Sequence, residues 1–228
     1  MRKALGMRPL EPAPPWKLAV DPDTGRLALL TRTGNREGLL REPDVQLAML
    51  PKANSTHPIK CQAELCTSKA ISAIQWRPHS DEVLFTVTDR HEGQAQSIYR
   101  WNVQTGAVHL VTQSAGMLSG DRFASGACGV SSRALVCVNA KADRPPRLER
   151  IDLATGERQV LFDPNAALAL DMAKTTPSRL LRWTDAKGQE FTGQFFAARN
   201  TGRGPSPLFV NYYDCRGFLR GGLGDEWP

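Results

Sequence analysis

The sequence predicts a mainly β fold, in which a partial β-propeller of about three four-stranded blades precedes the first strands of a second domain. Three observations predict it. Short β-type runs alternate with turn clusters from residue 16 to residue 162. One segment of this region recurs at an offset of 50 residues. The pattern then ends at Asp163-Pro164-Asn165, where the composition changes.

The recurring segment covers residues 98–111 and 148–161, which match position by position. Each copy reads as a strand, a turn containing Thr-Gly, and a second strand. A further hairpin precedes each copy, over residues 71–89 and 123–140. Four strands in a repeat of roughly 40–50 residues are typical of propeller blades, which bury their sheet faces against their neighbours.

A looser unit comes first, and its first turn is Asp21-Pro22-Asp23-Thr24-Gly25. Its four predicted strands cover residues 16–20, 25–32, 45–50 and 59–66. Because propellers typically have about four to eight blades, three blades do not close a ring. We therefore expect a truncated copy of a longer protein.

The sequence divides into three predicted segments. Residues 1–15, which are rich in proline, are a leader or linker, and residues 16–165 are the partial propeller. Residues 166–228 begin the second domain. In it, residues 166–173 are a short helix or an extended crossing, and two antiparallel strands follow. The apolar run 207–210 is of buried-strand type and leads into two tyrosines and a glycine-rich turn.

A propeller that leads into such strands and into Pro207-Leu208-Phe209-Val210-Asn211-Tyr212-Tyr213 resembles the prolyl oligopeptidase family of serine peptidases. Within that family, residues 212–228 are similar to the corresponding tail of the lasso peptide isopeptidases, and Pro145-Pro146-Arg147-Leu148 is a supporting match. The resemblance covers about residues 16–228; its blade part is generic and its tail is fairly specific. It implies an α/β-hydrolase domain after the propeller, and a threaded lasso peptide as the substrate whose isopeptide bond is hydrolysed.

The resemblance also implies one catalytic group. Tyr213 matches the tyrosine that donates its hydroxyl to the tetrahedral oxyanion, and Tyr212 is the second choice. Such a donor contributes about 3 kcal/mol to transition-state stabilisation. The alternative is that one of the two tyrosines packs under the sheet, as strand alternation requires.

The rest of the catalytic machinery has no match in the sequence. A hydrolase of this fold needs a Gly-x-Ser-x-Gly elbow followed by an acid and a histidine, and no segment fits that motif. We therefore expect the chain alone to be inactive. Two alternatives stay open: a non-catalytic propeller-type module that binds peptides or other partners, and a fragment of a general dipeptidyl or oligopeptidyl peptidase.

Composition argues against other function classes. The net charge of +6 comes from scattered Lys and Arg residues, which does not favour nucleic acid as a partner. No apolar window is long enough for a bilayer, so a membrane partner is not expected, and the N-terminus has no apolar signal-peptide core. The sequence leaves the compartment open between bacterial cytoplasm and periplasm.

No cofactor is predicted. The four histidines, His57, His79, His91 and His109, lack metal-ligand spacing. The cysteines read as small buried residues, with a Cys128–Cys137 bridge across a hairpin as the alternative. Such a bridge would imply an oxidising compartment. The sequence does not decide the redox state of Cys61 and Cys66.

Overall fold

The computed structural model describes residues 17–32, 44–67, 69–89, 91–120, 126–174, 177–188, 190–197, 204 and 207–210. These residues form antiparallel sheets with a single α-helix among them, which confirms the predicted mainly β fold class. Across the described part of the chain, no helix has the length and apolarity that crossing a bilayer requires.

The first four-stranded unit consists of β1 (Lys17–Val20), β2 (Leu27–Arg32), β3 (Asp44–Leu50) and β4 (Ile59–Lys60), paired in chain order. The predicted fourth strand, residues 59–66, is therefore wrong beyond Lys60. A 3₁₀ turn at Glu64–Cys66 and a Cys61–Cys66 disulfide bend the chain there instead.

The second unit is a meander of β5 (Lys69–Trp76), β6 (Glu82–Asp89), β7 (Ala95–Asn102) and β8 (Val108–Gln113). Backbone pairing between the second and first units is limited to two residue pairs, between β3 and β5. The two units nevertheless count as one eight-stranded sheet because this short pairing links them.

The third unit consists of β9 (Met117–Ser119), β10 (Gly129–Val130), β11 (Ala134–Lys141), β12 (Arg144–Asp152) and β13 (Arg158–Phe162). Both β9 and β10 pair with β11, so together they take the place of one strand. Of the predicted strand over residues 123–130, residues 123–125 lie outside the described part of the chain, and among residues 126–130 only Gly129–Val130 is a strand. Before it, the Gly120 N–H donates to the Gly126 carbonyl at 3.0 Å.

The internal repeat is confirmed down to its turn hydrogen bonds. The Asn102 Oδ1 accepts bonds from the backbone N–H groups two and three residues later, at 3.0 and 2.9 Å. The Asp152 Oδ1 accepts the same two bonds at 2.9 and 3.0 Å. Gly106 and Gly156 close the turns with φ of 77° and 73°, which few other residues adopt.

The units pack face to face through two apolar interfaces. The first interface, between the first and second units, includes Trp76, Phe85 and Trp101. The second interface, between the second and third units, includes Leu84, Ile98, Leu135 and Ile151. Trp76 and Trp101 therefore pack in the core.

The remaining elements are α1 (Ala166–Ala173) and the hairpin β14 (Arg179–Thr184) and β15 (Glu190–Phe195), which forms a sheet of its own. Of the two predictions for residues 166–173, the helix is confirmed. Trp183 lies on β14 with 51% of its surface exposed and does not pack in the core. The buried strand predicted for residues 207–210 is also wrong: Leu208, Phe209 and Val210 are exposed, and no described strand pairs with them.

Candidate functional site

The turns at one end of the three units contact one another. Arg26, after the β1–β2 turn, binds Asp21 at 2.8 Å and Asp81 of the β5–β6 turn at 2.5 Å. Arg77 Nε, at the end of β5, donates to the Ser132 carbonyl of the β10–β11 turn at 2.8 Å. These contacts fix the register of the units at this end, which we call the turn end.

At the opposite end, which we call the hairpin end, the β6–β7 hairpin contacts the β14–β15 hairpin. Arg182 donates from Nε to the His91 carbonyl at 3.0 Å and lies 2.5 Å from Glu92. The His91 Nδ1 lies 2.7 Å from a Glu190 carboxylate oxygen. All of these charged side chains are at least half exposed, so each pair contributes at most about 1 kcal/mol.

The segment just before β14 also contacts the third unit. The Ser178 backbone N–H and hydroxyl both donate to one Asp143 carboxylate oxygen at 3.3 Å. Asp143 lies in the β11–β12 hairpin, so two hairpins of the sheet units contact the segment that contains β14 and β15.

A small cavity of about 130 Å³ lies at this contact. It is lined by His91, Arg182, Trp183, Thr184, Glu190, Phe191 and Thr192. Trp183 and Phe191 stack with ring centroids 5.9 Å apart and form its apolar wall. Its volume is below the roughly 300 Å³ of typical small-molecule sites, so it can hold one side chain of a ligand at most.

The predicted catalytic residues Tyr213 and Tyr212 lie outside the described residues. Their role therefore stays a prediction. His57, His79, His91 and His109 are all exposed. Among the described residues, no three His, Cys, Asp or Glu side chains converge as metal ligands would.

The cysteines form two disulfides. Cys128 pairs with Cys137 across a Cα–Cα distance of 4.8 Å, and Cys61 pairs with Cys66 across 5.7 Å. The bridge that the sequence offered as an alternative for Cys128 and Cys137 is confirmed, and all four cysteines are also buried. Cys215 lies outside the described residues.

Sequence reasoning missed a group of charged residues between the second and third units. Glu149 on β12 is buried, and Arg147 donates to its Oε1 from Nε at 2.7 Å. Arg158 of β13 lies 3.6 Å from the Glu149 Oε2, and Arg144 lies 3.8 Å from its Oε1. The repeat contained a signal: Glu149 occupies the position that holds Tyr99 in the other copy, and Arg147, just before the copy, corresponds to Ser97.

The electrostatics of this group are unbalanced. Burial, and then repulsion by the Arg147 guanidinium, lowers the pKa of Arg144 below its usual value in spite of the attraction of Glu149. Burial also lowers the pKa of Arg158, and the Glu149 carboxylate offsets this only in part. The site therefore holds more positive charge than its one buried carboxylate neutralises.

Comparison with known proteins gives one curated relative and several similar structures. No family model matches the chain. The chain is 27% identical over 184 residues to the lasso peptide isopeptidase AtxE2 of Asticcacaulis excentricus. The match covers 79% of this chain but 24% of that relative, so the chain spans about a quarter of the relative's length.

Solved structures of AtxE2 share the fold. The apo enzyme matches with a TM-score of 0.69 and 22% identity, over 99% of this chain and 31% of the enzyme. A variant with Astexin3-dC4 bound matches with a TM-score of 0.68 and 20% identity, over 94% of this chain and 30% of the enzyme. An acylaminoacyl peptidase of Pyrococcus horikoshii matches less closely, with a TM-score of 0.52 and 16% identity over 82% of this chain and 26% of that peptidase. This chain is thus similar in sequence to a lasso peptide isopeptidase and has the fold of the matching part of that enzyme, which confirms the resemblance drawn from its repeat and its tail.

Proposed function

We propose that this chain is part of a serine peptidase that hydrolyses the isopeptide bond of a threaded lasso peptide. The observation that carries the proposal is the 27% identity to a lasso peptide isopeptidase over 79% of the chain. The tail similarity at residues 212–228 supports it from a part of the chain that the structure does not describe.

In this proposal the two parts of the chain have different roles. Residues 16–165 are the partial propeller that shapes access for the peptide, and residues 166–228 begin the hydrolase domain. The contacts of Arg182 with His91 and Glu92 support this division, because they join the β14–β15 hairpin to the sheet units through few and exposed groups. Interfaces between domains of one chain are commonly of this polar kind.

The proposed chemistry follows from acyl transfer. A serine activated by a histidine attacks the isopeptide carbonyl, and negative charge develops on its oxygen. The Tyr213 hydroxyl donates a hydrogen bond to that oxyanion. The nucleophile, acid and histidine would come from outside residues 1–228, since the sequence contains no Gly-x-Ser-x-Gly motif.

The test compares three substrates on the protein made from the complete reading frame that carries this chain. The substrates are a threaded lasso peptide, the linear peptide of the same sequence, and a chromogenic dipeptide ester or amide. The proposal expects only the threaded peptide to gain the mass of one water. Residues 1–228 alone serve as the control and should turn over none of the three.

Two other results would replace the proposal. Cleavage of the linear peptide at a similar rate would indicate a general dipeptidyl or oligopeptidyl peptidase. Saturable peptide binding without any cleavage would indicate a non-catalytic binding module.

A further inference from the structure

The arginine cluster consists of Arg144, Arg147 and Arg158 around Glu149. Arg144 and Arg147 lie on β12 and Arg158 on β13. Arg158 also crosses to the second unit, where its Nε donates to the Thr112 hydroxyl at 2.9 Å and its Nη2 donates to the Gln113 carbonyl. The cluster therefore lies in the second interface.

The three guanidiniums share one buried carboxylate, which leaves two positive charges without a buried counterion. Asp143, next to Arg144 in sequence, accepts hydrogen bonds from Ser178, and of the charged groups acting on Arg144 it has the weakest influence. An arginine stays protonated at ordinary pH even where burial lowers its pKa, so it cannot relieve such an excess by losing its proton. Another anion is the remaining way to neutralise the cluster.

Arg144 is the least satisfied of the three. Its Nη2 binds the neutral Asn139 Oδ1, and 3.8 Å separates it from Glu149. Its Nε is buried and has no hydrogen-bond partner among the described residues. Arg147, by contrast, holds the Glu149 Oε1 from both Nε and Nη2, at 2.7 and 2.6 Å. A buried donor without a partner is unfavourable, and an oxyanion whose oxygen reaches this Nε would satisfy it.

The cluster is accessible from solvent. The side chains of Arg144, Arg147 and Arg158 are each 25% exposed, whereas that of Glu149 is 1% exposed. The carboxylate is thus buried, whereas solvent reaches part of each arginine side chain. Partly desolvated guanidiniums bind carboxylates and phosphates strongly, because the planar group matches two oxygens and the local dielectric is low.

We propose that the arginine cluster is a binding site for an oxyanion of the carboxylate or phosphate class, in which Arg144 makes the principal contact. The proposal rests on the charges, burial and hydrogen bonds of the cluster and does not depend on the proposed peptidase function. A peptide carboxylate and a free phosphate present the same chemistry to the site, so the experiment includes both.

The experiment measures thermal unfolding and isothermal titration of the full chain at constant ionic strength, with chloride as the reference anion. The probes are inorganic phosphate, a tripeptide with a free C-terminal carboxylate, and the same tripeptide with a C-terminal amide. The expected result is a saturable rise in the melting temperature with phosphate or with the free carboxylate, and none with the amide. Of phosphate and the free carboxylate, the anion that binds with the higher affinity identifies the chemical class of the ligand.

Matched variants assign the binding to the cluster. Arg144→Gln should lower the affinity for the anion about tenfold or more, because it removes a charged hydrogen-bond donor. Arg150→Gln is the control: Arg150 is also on β12 but lies 3.7 Å from Asp152, and it should leave the affinity unchanged. Glu149→Gln should bind the anion more tightly than the native chain, because it removes the competing carboxylate.

Two results would overturn the proposal. One is the absence of any saturable shift in both the native chain and Glu149→Gln, which would assign the arginines a purely structural role. The other is an equal loss of affinity in Arg150→Gln and Arg144→Gln, which would indicate general charge screening. If Arg144→Gln does not fold, the comparison of the native chain with Glu149→Gln still decides, since an anion site requires the tighter binding.

Discussion

The two interfaces between the sheet units are built differently. The first interface contains two buried tryptophans and Phe85 in its apolar cluster. The second interface has a smaller apolar cluster without any aromatic ring, and it carries the arginine cluster and Asn139 beside it. Directional bonds cross both interfaces; at the first they run from Arg26 to Asp81 and from the Trp76 Nε1 to the Ala19 carbonyl. The first interface differs in its larger apolar area with aromatic rings, and we expect that area to contribute more to stability.

Gln96 shows how the second interface uses such bonds. Its side chain is fully buried and donates to Ser72 and Thr88 within its own unit, at 3.2 Å each. Its Oε1 accepts the Leu118 N–H of the third unit at 2.8 Å. Because a hydrogen bond tolerates little displacement, this residue fixes the position of β9 against the second unit.

Removing an aromatic ring from the first interface should have the largest effect. Trp101 is 1% exposed, and Trp101→Ala should lower the free energy of unfolding by about 3–5 kcal/mol because of the cavity it leaves. Equilibrium unfolding in urea measures this. Trp183→Ala, on the exposed β14, is the matched control and should cost less than about 1 kcal/mol. Equal losses in the two variants would contradict the role given to the first interface.

The two repeat glycines sharpen the comparison, because only one of them touches a neighbouring unit. Gly106 has open space where a Cβ would lie, so Gly106→Ala should cost about 1 kcal/mol from its positive φ alone. A Cβ on Gly156 would lie 2.3 Å from the Val111 carbonyl oxygen of the second unit. Gly156→Ala should therefore cost about 2–3 kcal/mol. The same urea titration measures both costs. Equal costs at the two sites would mean that the second and third units separate enough to accommodate the added methyl group at Gly156.

Each interface also contains one disulfide. Replacing both Cys128 and Cys137 with alanine should cost about 2.5 kcal/mol, and replacing Cys61 and Cys66 should cost about 2 kcal/mol, since the second pair closes the shorter loop. Thermal unfolding with and without reductant measures both. Reductant should lower the melting temperature of the native chain but not that of the quadruple variant. A melting temperature of the native chain that reductant does not change would contradict the stabilising role.

The smallest effect concerns the turn end of the first interface. Burial alone raises the pKa of Asp21, but hydrogen bonds from Thr24, the Asp23 N–H and Arg26 outweigh it and hold the pKa below its usual value. A lowered pKa in the folded state adds stability at pH values above the unfolded pKa, and that stability is lost as the pH falls through the folded value.

Asp21→Asn should therefore destabilise the chain by about 1 kcal/mol at neutral pH. The difference from the native chain should shrink as the pH falls below the usual pKa of an aspartate. Urea titrations between neutral pH and pH 3 would show this. A difference that stays constant over the whole range would contradict the electrostatic origin of the effect.

Local patterns predicted those parts of the fold that depend on local interactions. The repeat around Asn102 and Asp152 could be predicted from the sequence, because the hydrogen bonds of the turn fix both the residue types and their spacing. The late start of β10 at Gly129 could not be predicted, because it accompanies the close approach of Gly120 to the Ala127 backbone, which no local pattern reveals. The exposure of Phe209 was missed because an apolar run indicates a buried strand only if a partner strand covers it.

The site was less predictable than the fold. The resemblance gave Tyr213 a role, but charge composition gave no reason to connect Arg144 with Arg158, which lie 14 positions apart in sequence. They are linked through Glu149: antiparallel pairing places Arg158 opposite Ile151, two positions from Glu149, and Arg144 approaches Glu149 from the start of β12. A cluster of this kind depends on how the units pack, and single-sequence patterns do not contain that information.

The most direct test of the proposed function is the rate of ring opening of a threaded lasso peptide by the complete protein with Tyr213→Phe. The proposal predicts a fall in kcat of about 10²–10³, with little change in KM, because the lost hydroxyl binds only the oxyanion of the transition state. Tyr212→Phe, the adjacent tyrosine, should retain most of the activity. Native kcat in Tyr213→Phe would contradict the assignment, and a loss confined to Tyr212→Phe would transfer the role to that residue.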